Sequence, residues 1–259
     1  MPSIRGTIVA RMTVKAISIP KPKAVLFDLF HTLVFVPPAG GEYGPRMGET
    51  LGIPQLHDEL MRRYHDEDVL GRCFGHARDP REIIRCLASD LNPAVSDEQI
   101  DLAVANRRRR FRHALVSVEP AILEALDRLA DAGIQIALVS DAGFDDVEFW
   151  SHSPLAAKFP TAIFSYEIGV RKPDRRIYEH ALAGIGVSPQ EALFVGDGGS
   201  DEHRGAREVG MGTVLVTRIF HKLSASVAQA RREHSDWEFP DVSLFVHALG
   251  LSQRASPFA

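Results

Sequence analysis

Four polar side chains stand at or just beyond the ends of predicted strands or at a loop-helix junction: Asp28, Ser140, Lys172 and Asp197. Taken singly, an aspartate or serine after a strand is usually a turn or cap residue, and a lysine is usually a solvated surface group. Together they supply a carboxylate nucleophile, a hydroxyl, a cation and a second acid, which are the parts of a phosphoryl-transfer site. Their joint occurrence therefore predicts an active site centred on Asp28.

The element that delivers Asp28 is the apolar run Ala24-Val25-Leu26-Phe27, which stops abruptly at the carboxylate. A short continuous apolar run of this kind is typical of a strand buried on both faces of a parallel sheet. Open α/β sheets build their sites at the carboxyl ends of their strands. The run therefore places Asp28 where such a site is expected.

From residue 119 onward the chain alternates helix and strand patterns. Predicted strands cover 134–139, 162–164, 192–195 and 213–216, and predicted helices cover 120–132, a segment from Asp145, 174–183, 202–209, 224–232 and 242–249. Alternation of this kind implies right-handed crossovers and a mostly parallel sheet. We therefore expect an α/β fold of three layers, a doubly wound sheet that includes the strand at 24–27.

The region after the first strand has a different pattern. Pro37, Pro38 and the Gly40-Gly41 pair punctuate a linker, and helix patterns follow at 43–51, 55–74, 80–87 and from Ser96, which has Gln99 at the capping-box position. The predicted organisation is an N-terminal extension over 1–22 with a strand near 14–19, a core of 23–35 plus 117–250, a helical insertion over 36–116 and a tail over 251–259. The insertion would lie over Asp28 as a cap.

The composition describes an ordinary globular protein. The net charge of −4, with 45% hydrophobic and 25% charged residues, provides no general attraction to nucleic acid or anionic membranes. Cys73 and Cys86 form neither a zinc motif nor a disulfide framework. No apolar run approaches the roughly 18 to 20 residues that a membrane span needs. We expect a cytoplasmic monomer or homodimer that acts on a small molecule.

The order Asp28-x-x-x-Thr32, Ser140, Arg171-Lys172-Pro173-Asp174 and Gly196-Asp197 resembles the haloacid dehalogenase-like (HAD) hydrolase superfamily. The resemblance covers about residues 23 to 250, and the helical insertion is similar to that of the branch with a C1 cap (subfamily I). It implies a Rossmann-like core and hydrolytic chemistry at the carboxyl edge of the sheet.

The resemblance also implies roles for the motif residues. Asp28 would attack phosphorus and form an aspartyl-phosphate, which splits one hard displacement into two easier ones. Ser140 and the backbone amides of Asp141 and Ala142 would hold the phosphoryl oxygens, and Lys172 would neutralise their charge.

A magnesium ion is implied as the cofactor. Mg²⁺ would lie between Asp28, the backbone carbonyl of Phe30 and Asp197, since a small hard cation prefers oxygen ligands. The last motif carries acids at both positions that the family uses, Asp201 and Glu202. We prefer Asp201 as the residue that binds the metal shell or orients Lys172, with Glu202 as the rival.

One position departs from the pattern of the phosphatases in this superfamily. They carry an aspartate two residues after the nucleophile as the general acid and base, and this chain has Phe30 there. Losing such a group typically costs about 10² to 10⁴ in rate. His31, with a side chain suited to proton transfer near neutrality, and Asp141 are the available replacements.

Three functions remain open at this point. The first is a Mg²⁺-dependent hydrolase of a small phosphorylated metabolite. The second is a metal-independent 2-haloacid dehalogenase, because those enzymes carry an aromatic residue at the Phe30 position, and the third is a phosphate-ester binding protein with weak catalysis. The retained Gly196-Asp197 pair, which the dehalogenases typically lack, favours the first.

The predicted cap is rich in arginine. Its arginines are Arg46, Arg62, Arg63, Arg72, Arg81, Arg85, Arg107 to Arg110 and Arg112. A run of arginines covers more than one face of a helix, so most of them must be solvated. One or two are expected to reach the cleft and bind an anionic group of the substrate.

Overall fold

The computed structural model describes residues 19–66, 68 and 70–251, and its centre is a six-stranded sheet. The strands are β1 (Ala24–Phe27), β2 (Gln135–Ser140), β3 (Ala162–Phe164), β4 (Ala192–Gly196), β5 (Gly212–Val216) and β6 (Trp237–Phe239). Their order is β3-β2-β1-β4-β5-β6, and each neighbouring pair is parallel. The predicted doubly wound parallel sheet is confirmed.

Eleven α-helices occur in the described ranges. They are α1 (Met47–Thr50), α2 (His57–Met61), α3 (Pro80–Leu91), α4 (Asp97–Val116), α5 (Pro120–Asp131), α6 (Phe144–Val147), α7 (Ser165–Ile168), α8 (Arg175–Ile185), α9 (Glu202–Val209), α10 (Ala225–Arg232) and α11 (Val242–Ala248). None of these helices has the length and apolar character needed to cross a membrane.

The side chains of β1 point alternately into two hydrophobic cores. Val25 and Phe27 join the core that holds residues of α5 and α11, whereas Ala24 and Leu26 join the core that holds residues of α8 and α9. All four residues of β1 are fully buried. Helices therefore cover both faces of the sheet, which explains why this strand reads as an unbroken apolar run.

The order of the strands brings three predicted site residues together. The chain builds β2 and β3 on one side of β1 and then returns to build β4 on the other side, so β1 is the point where the direction of winding changes. Phe27 pairs with Leu138 of β2 and with Val195 of β4. The residues that follow these strands meet in the crevice that such a topology creates.

Residues between β1 and α5 form a helical region with a hydrophobic core of its own. Its buried members are Met47, Leu51, Ile53, Leu60, Tyr64, Ile83, Ile84, Leu87, Ala88, Ile100 and Ala103. The capping box predicted for α4 is present, since the Ser96 hydroxyl accepts from the Gln99 amide and the Gln99 side chain accepts from the Ser96 amide. Ala114 and Leu115, near the end of α4, pack in the core of the sheet.

The helix predicted over 55–74 is wrong as a single element. It is divided into a 3₁₀ turn at Pro54–Leu56, α2, a π-helical turn at Arg62–Asp66 and a 3₁₀ turn at Arg72–Phe74. Gly71 and Gly75 take left-handed conformations (φ 61° and 77°) and flank the 3₁₀ turn at Arg72–Phe74, which Gly75 ends.

Three further differences concern element ends and short elements. The helix predicted at 43–51 begins only at Met47, because Gly44 has φ of 73°. Strand β6 and helix α7 were not predicted. The strand predicted near 14–19, most of the N-terminal extension and nearly all of the tail fall outside the described residues.

Candidate active site

Asp28 and Lys172 are in direct contact in the crevice. The Lys172 Nζ donates to Asp28 Oδ1 at 2.6 Å, and the Thr32 hydroxyl donates to Asp28 Oδ2 at 2.9 Å. Burial raises the pKa of Asp28, the positive charge of Lys172 lowers it, and the negative charge of nearby Asp197 raises it. The resulting pKa lies above the usual value of an aspartate. Asp28 is therefore a buried carboxylate whose charge depends on its lysine partner.

Lys172 is buried between two acids. Its Nζ lies 2.6 Å from Asp28 Oδ1 and 2.6 Å from Glu202 Oε2, and only 3% of the side chain is exposed. Burial disfavours the ammonium, but the attraction of these two carboxylates outweighs that effect and holds the pKa of Lys172 well above its usual value. The lysine is thus a fixed positive charge beside the candidate nucleophile.

Glu202, not the preferred Asp201, occupies the position beside Lys172. Asp201 is 71% exposed in its side chain and is paired with Arg204 at 3.4 Å. Ser200 and Asp201 both take left-handed conformations (φ 53° and 50°). The choice of Asp201 as the Lys172-orienting residue is corrected to Glu202, because this sharp turn precedes α9 and the acid that reaches Lys172 is the first residue of that helix.

Two glycines make the approach of Glu202 possible. A Cβ on Gly196 would lie 2.1 Å from Glu202 Oε1, and a Cβ on Gly205 would lie 2.4 Å from the backbone oxygen of Pro173. The buried Tyr178 hydroxyl donates to the Glu202 carbonyl at 2.7 Å and fixes the start of α9. Burial raises the pKa of Glu202 to about 8, an effect that Lys172 opposes and Asp28 reinforces.

Ser140 ends β2 beside β1 and is 1% exposed. Its hydroxyl has no hydrogen-bond partner within the described part of the chain. Buried polar groups nearly always have a partner, so an unsatisfied hydroxyl in a crevice is typical of a ligand site. Ser140 is therefore placed where a bound oxyanion would satisfy it.

The two residues after Ser140 are engaged within the protein. Asp141 Oδ1 accepts from the Lys172 backbone amide at 2.8 Å, and Arg171 lies 3.5 Å from its other oxygen. The Ala142 amide donates to the Ser165 hydroxyl at 3.0 Å. The Ala142 amide, the predicted donor to a phosphoryl oxygen, therefore has a partner within the protein in this arrangement, and its role stays a prediction.

Asp28, Asp197 and Glu202 form a cluster whose candidate ligand atoms lie within 4.8 Å of one another, and all three are buried. Asp197 Oδ1 accepts from the Gly199 amide at 3.0 Å, and Oδ2 accepts from Arg231 at 2.6 Å. Carboxylate oxygens at this spacing are the ligand type that Mg²⁺ prefers, so the donor set fits the ion. Asp201 is not part of this cluster.

A cleft of about 580 Å³ lies between the helical region and the sheet edge. Phe30 is half-buried in its wall and packs edge-to-face against Phe111 of α4 at 5.4 Å between ring centroids. His31 is exposed at the same cleft and has φ of 67°. Asp141 also lines it. The cleft therefore combines an apolar wall with groups that can carry protons, among them His31 and Asp141.

Three arginines of the helical region line this cleft: Arg72, Arg107 and Arg110. Arg110 is half-buried, and within the described residues its Nε donates to the Pro37 carbonyl at 2.8 Å with no carboxylate in ion-pair contact. Burial is the main cause that lowers the pKa of Arg110, and the positive charge of Arg107 lowers it further. Arg110 is thus a cation facing the cleft that a substrate anion can reach.

Arg72 and Arg107 are instead held by two aspartates of α6. Arg107 Nε lies 2.8 Å from Asp145 Oδ2, Arg72 Nη1 lies 3.2 Å from Asp145 Oδ1, and both arginines also contact Asp146. The Tyr64 hydroxyl donates to Asp145 as well. These five residues, which we call the cap-core cluster, are buried and join the helical region to the segment that follows Ser140.

Several residues of the site were not predicted from the sequence. They are the cap-core cluster, the Thr32 hydroxyl as a partner of Asp28, Tyr178 as the anchor of α9, and Arg231 on Asp197. The Asp145-Asp146 pair directly after the Ser140 segment was the one available signal, because adjacent acids close to a strand end need cations when they are buried.

Comparisons with known proteins place these observations in a family. A model described as "Haloacid dehalogenase-like hydrolase" matches residues 59–216, more than half of the chain. Glyceraldehyde 3-phosphate phosphatase of Pyrococcus abyssi is 32% identical over 202 residues, which cover 74% of this chain and 80% of that protein. An (S)-2-haloacid dehalogenase of Pseudomonas putida is 25% identical over 225 residues, which cover 83% and 97%.

Two further matches differ in extent. Phosphoserine phosphatase of Thermus thermophilus is 37% identical over 120 residues, but the aligned part is 46% of this chain and less than half (47%) of that relative. Among solved structures, an L-2-haloacid dehalogenase superposes with a TM-score of 0.61 over 89% of this chain and 100% of that chain, at 18% identity. At that identity the likeness shows a common fold.

Proposed function

Because the chain belongs to the haloacid dehalogenase-like hydrolases, we propose that it is a phosphatase that hydrolyses a small phosphate monoester. The reaction proceeds through an aspartyl-phosphate on Asp28. The observation that carries the proposal is the contact of Asp28 with a buried lysine, beside two further buried acids and the unsatisfied Ser140 hydroxyl. The phosphatases among the relatives support the same choice.

In the first step an Asp28 oxygen attacks phosphorus, and the bond from phosphorus to the leaving oxygen breaks. Lys172 favours the ionised form of Asp28 and lies close enough to offset the charge on the phosphoryl group. The Ser140 hydroxyl donates to a phosphoryl oxygen, which gives that buried group the partner it lacks. In the second step water attacks phosphorus, and the bond to Asp28 breaks.

Mg²⁺ is the proposed cofactor, with Asp28, Asp197 and Glu202 as the acids near it and the Phe30 carbonyl as a further ligand. When bound, the ion supplies positive charge to the phosphoryl oxygens. Glu202 replaces Asp201 in this proposal, since the Asp201 side chain is exposed to solvent.

The proton carrier is proposed to be His31. Phe30 has no titratable side chain, and Asp141 is held by the Lys172 amide and by Arg171. His31 lies at the cleft with an exposed side chain, so it can give a proton to the leaving oxygen and take one from the attacking water. Its backbone is left-handed (φ of 67°), a conformation that glycine adopts most easily.

The helical region over 36–116 is proposed to be the cap that closes the site. It has its own hydrophobic core, it supplies Phe111 and Arg110 to the cleft, and the cap-core cluster joins it to the sheet edge. Substrate choice then depends on what these cap residues accept, and Arg110 favours a substrate with an anionic group.

The proposal is tested with p-nitrophenyl phosphate, before and after treatment with EDTA. We expect turnover in Mg²⁺, loss of turnover after EDTA, and loss in Asp28→Asn with the fold retained. Asp201→Asn is the matched control, because it neutralises an exposed acid in the neighbouring loop and leaves activity at the wild-type level. Retained turnover in Asp28→Asn would refute the assignment of the nucleophile.

Dehalogenation is the second candidate, and the position of Phe30 is the observation that favours it. An aromatic wall beside the nucleophile suits displacement at carbon, and one relative and one structural neighbour are 2-haloacid dehalogenases. Release of halide from 2-chloropropionate by EDTA-treated protein would establish this function. Binding of phosphate esters without turnover would establish the third candidate, a phosphate-ester binding protein.

A further inference from the structure

Arg231 of α10 contacts an acid of the proposed metal site. Its Nη1 lies 2.6 Å from Asp197 Oδ2 and 3.0 Å from the Asp197 backbone oxygen. The Arg231 side chain is only 19% exposed and that of Asp197 is 7% exposed. The guanidinium is therefore a shielded charge held on Asp197, 34 residues further along the chain.

Gly198 makes room for this arginine. A Cβ on Gly198 would lie 2.9 Å from the Cβ of Arg231 and 3.1 Å from its Cγ, and Gly198 also has φ of 81°. A Cβ on Gly199 would lie 3.7 Å from Arg231 Nη2, an ordinary contact that the arginine leaves room for. The aliphatic part of the Arg231 side chain thus packs against Gly198. Position 198 therefore requires glycine for two reasons, the close contact with Arg231 and the positive φ.

The contact changes the charge balance of the acid cluster. Lys172 binds two of the three carboxylates, those of Asp28 and Glu202, and Arg231 binds the third, that of Asp197. Each acid therefore has a cationic partner supplied by the chain. Both oxygens of Asp197 already accept a hydrogen bond, one from Arg231 and one from the Gly199 amide.

A divalent cation that used Asp197 would meet the guanidinium at close range, in a place with little solvent to screen the repulsion. We propose that Arg231 competes with the divalent cation for Asp197, so that it weakens metal binding and acts as the counter-charge of Asp197 when no cation is bound. This inference rests on the metal site of the proposed function. It gives Arg231 the role of a residue that positions Asp197 and sets the metal affinity.

The experiment measures binding of Mn²⁺, a divalent probe, by electron paramagnetic resonance of the free ion and by calorimetry. Wild type is compared with Arg231→Gln and with Arg231→Met, which keeps an unbranched stem over Gly198 without the charge. We expect both variants to bind Mn²⁺ at least about tenfold more tightly, a change of about 1.4 kcal/mol. If one variant fails to fold, the other makes the same comparison.

Arg232→Gln is the matched control. It removes the neighbouring arginine of α10, whose Nε donates to Glu238 Oε2 at 2.8 Å and does not contact the acid cluster. This variant should bind Mn²⁺ like wild type. Asp197→Asn should lose most of the binding, which shows that the measured site contains Asp197.

Two results overturn the inference in distinguishable ways. Equal or weaker Mn²⁺ binding in the Arg231 variants than in wild type, with Asp197→Asn deficient, overturns the competition but leaves the metal site of the proposed function intact. Absence of binding in wild type and in both Arg231 variants overturns the competition and the metal site together.

Discussion

Replacement of Asp145 by asparagine removes the charge at the centre of the cap-core cluster. The Asp145 side chain is 1% exposed, and its two oxygens accept from Arg107 Nε at 2.8 Å and from Arg72 Nη1 at 3.2 Å. Both arginines are 4% exposed in their side chains. The variant leaves two buried guanidinium groups with Asp146 as their remaining carboxylate.

The expected loss of stability follows from burial. Removing one partner of a buried ion pair typically costs about 3 to 5 kcal/mol, because an uncompensated charge stays buried. For a chain of this size that corresponds to a fall in melting temperature of about 6 to 20 °C. Asp127→Asn is the matched control, since Asp127 is 62% exposed in its pair with Lys158 and should cost about 1 kcal/mol or less.

Two assays follow the change. Urea unfolding measures the free energy of unfolding. Labelling with a disulfide reagent reports whether the cap moves, because Cys73 is buried in the cleft wall and burial raises its pKa to about 12. Cys86 is exposed and serves as the internal standard. We expect Asp145→Asn to label Cys73 at least about tenfold faster, since exposure restores an ordinary thiol pKa. Wild-type stability together with a wild-type Cys73 rate would refute the claim that this cluster holds the cap on the core.

Three further outcomes are expected. Glu202→Gln should lower kcat roughly 10- to 100-fold, because Lys172 loses a partner that fixes it, whereas Asp201→Asn should not; equal effects would contradict the assignment of Glu202. Arg110→Gln should raise KM about tenfold for a phosphate ester with a carboxylate and leave KM for ethyl phosphate unchanged, with Arg109→Gln as the control that alters neither. Burial lowers the pKa of His203 in the folded protein to about 4. As the pH falls from 6.5 to 4, this histidine is therefore protonated in the unfolded chain before it is protonated in the folded protein. The free energy of unfolding should therefore decrease by up to about 3 kcal/mol over that range, and His203→Gln should flatten the profile.

The fold could be predicted from the sequence because its signals are local. An unbroken apolar run predicts a strand buried on both faces, and β1 has that form over Ala24–Phe27. Helix α4 was recognised from its capping box, and α9 was predicted with its observed bounds of Glu202–Val209. The helix predicted over 55–74 was wrong because two left-handed residues, Asp68 and Gly71, interrupt a pattern whose apolar spacing alone suggests continuity.

The candidate site could be predicted in part, for a reason that lies in the topology. Parallel strands end at one edge, so the residues after β1, β2 and β4 meet whatever their side chains. The choice between Asp201 and Glu202 depends on a turn with two left-handed residues and on the space beside Gly196. The residue types around these positions do not indicate either feature. Arg231 lies outside every motif and reaches Asp197 only through tertiary packing.

The charges of the site bear on the choice between phosphorus and carbon chemistry. Asp28, Asp197 and Glu202 face two cations, Lys172 and Arg231, so the cluster has a net charge of −1 when all three acids are ionised. A 2-haloacid anion adds one negative charge to this site. A phosphate monoester adds about two, and in a buried site that excess is costly unless a divalent cation offsets it. Displacement of Arg231 by a metal would then coincide with the arrival of the more highly charged substrate. Hydrolysis at phosphorus is therefore expected to require the divalent cation, whereas halide displacement would not, and the metal dependence of turnover separates the two reactions.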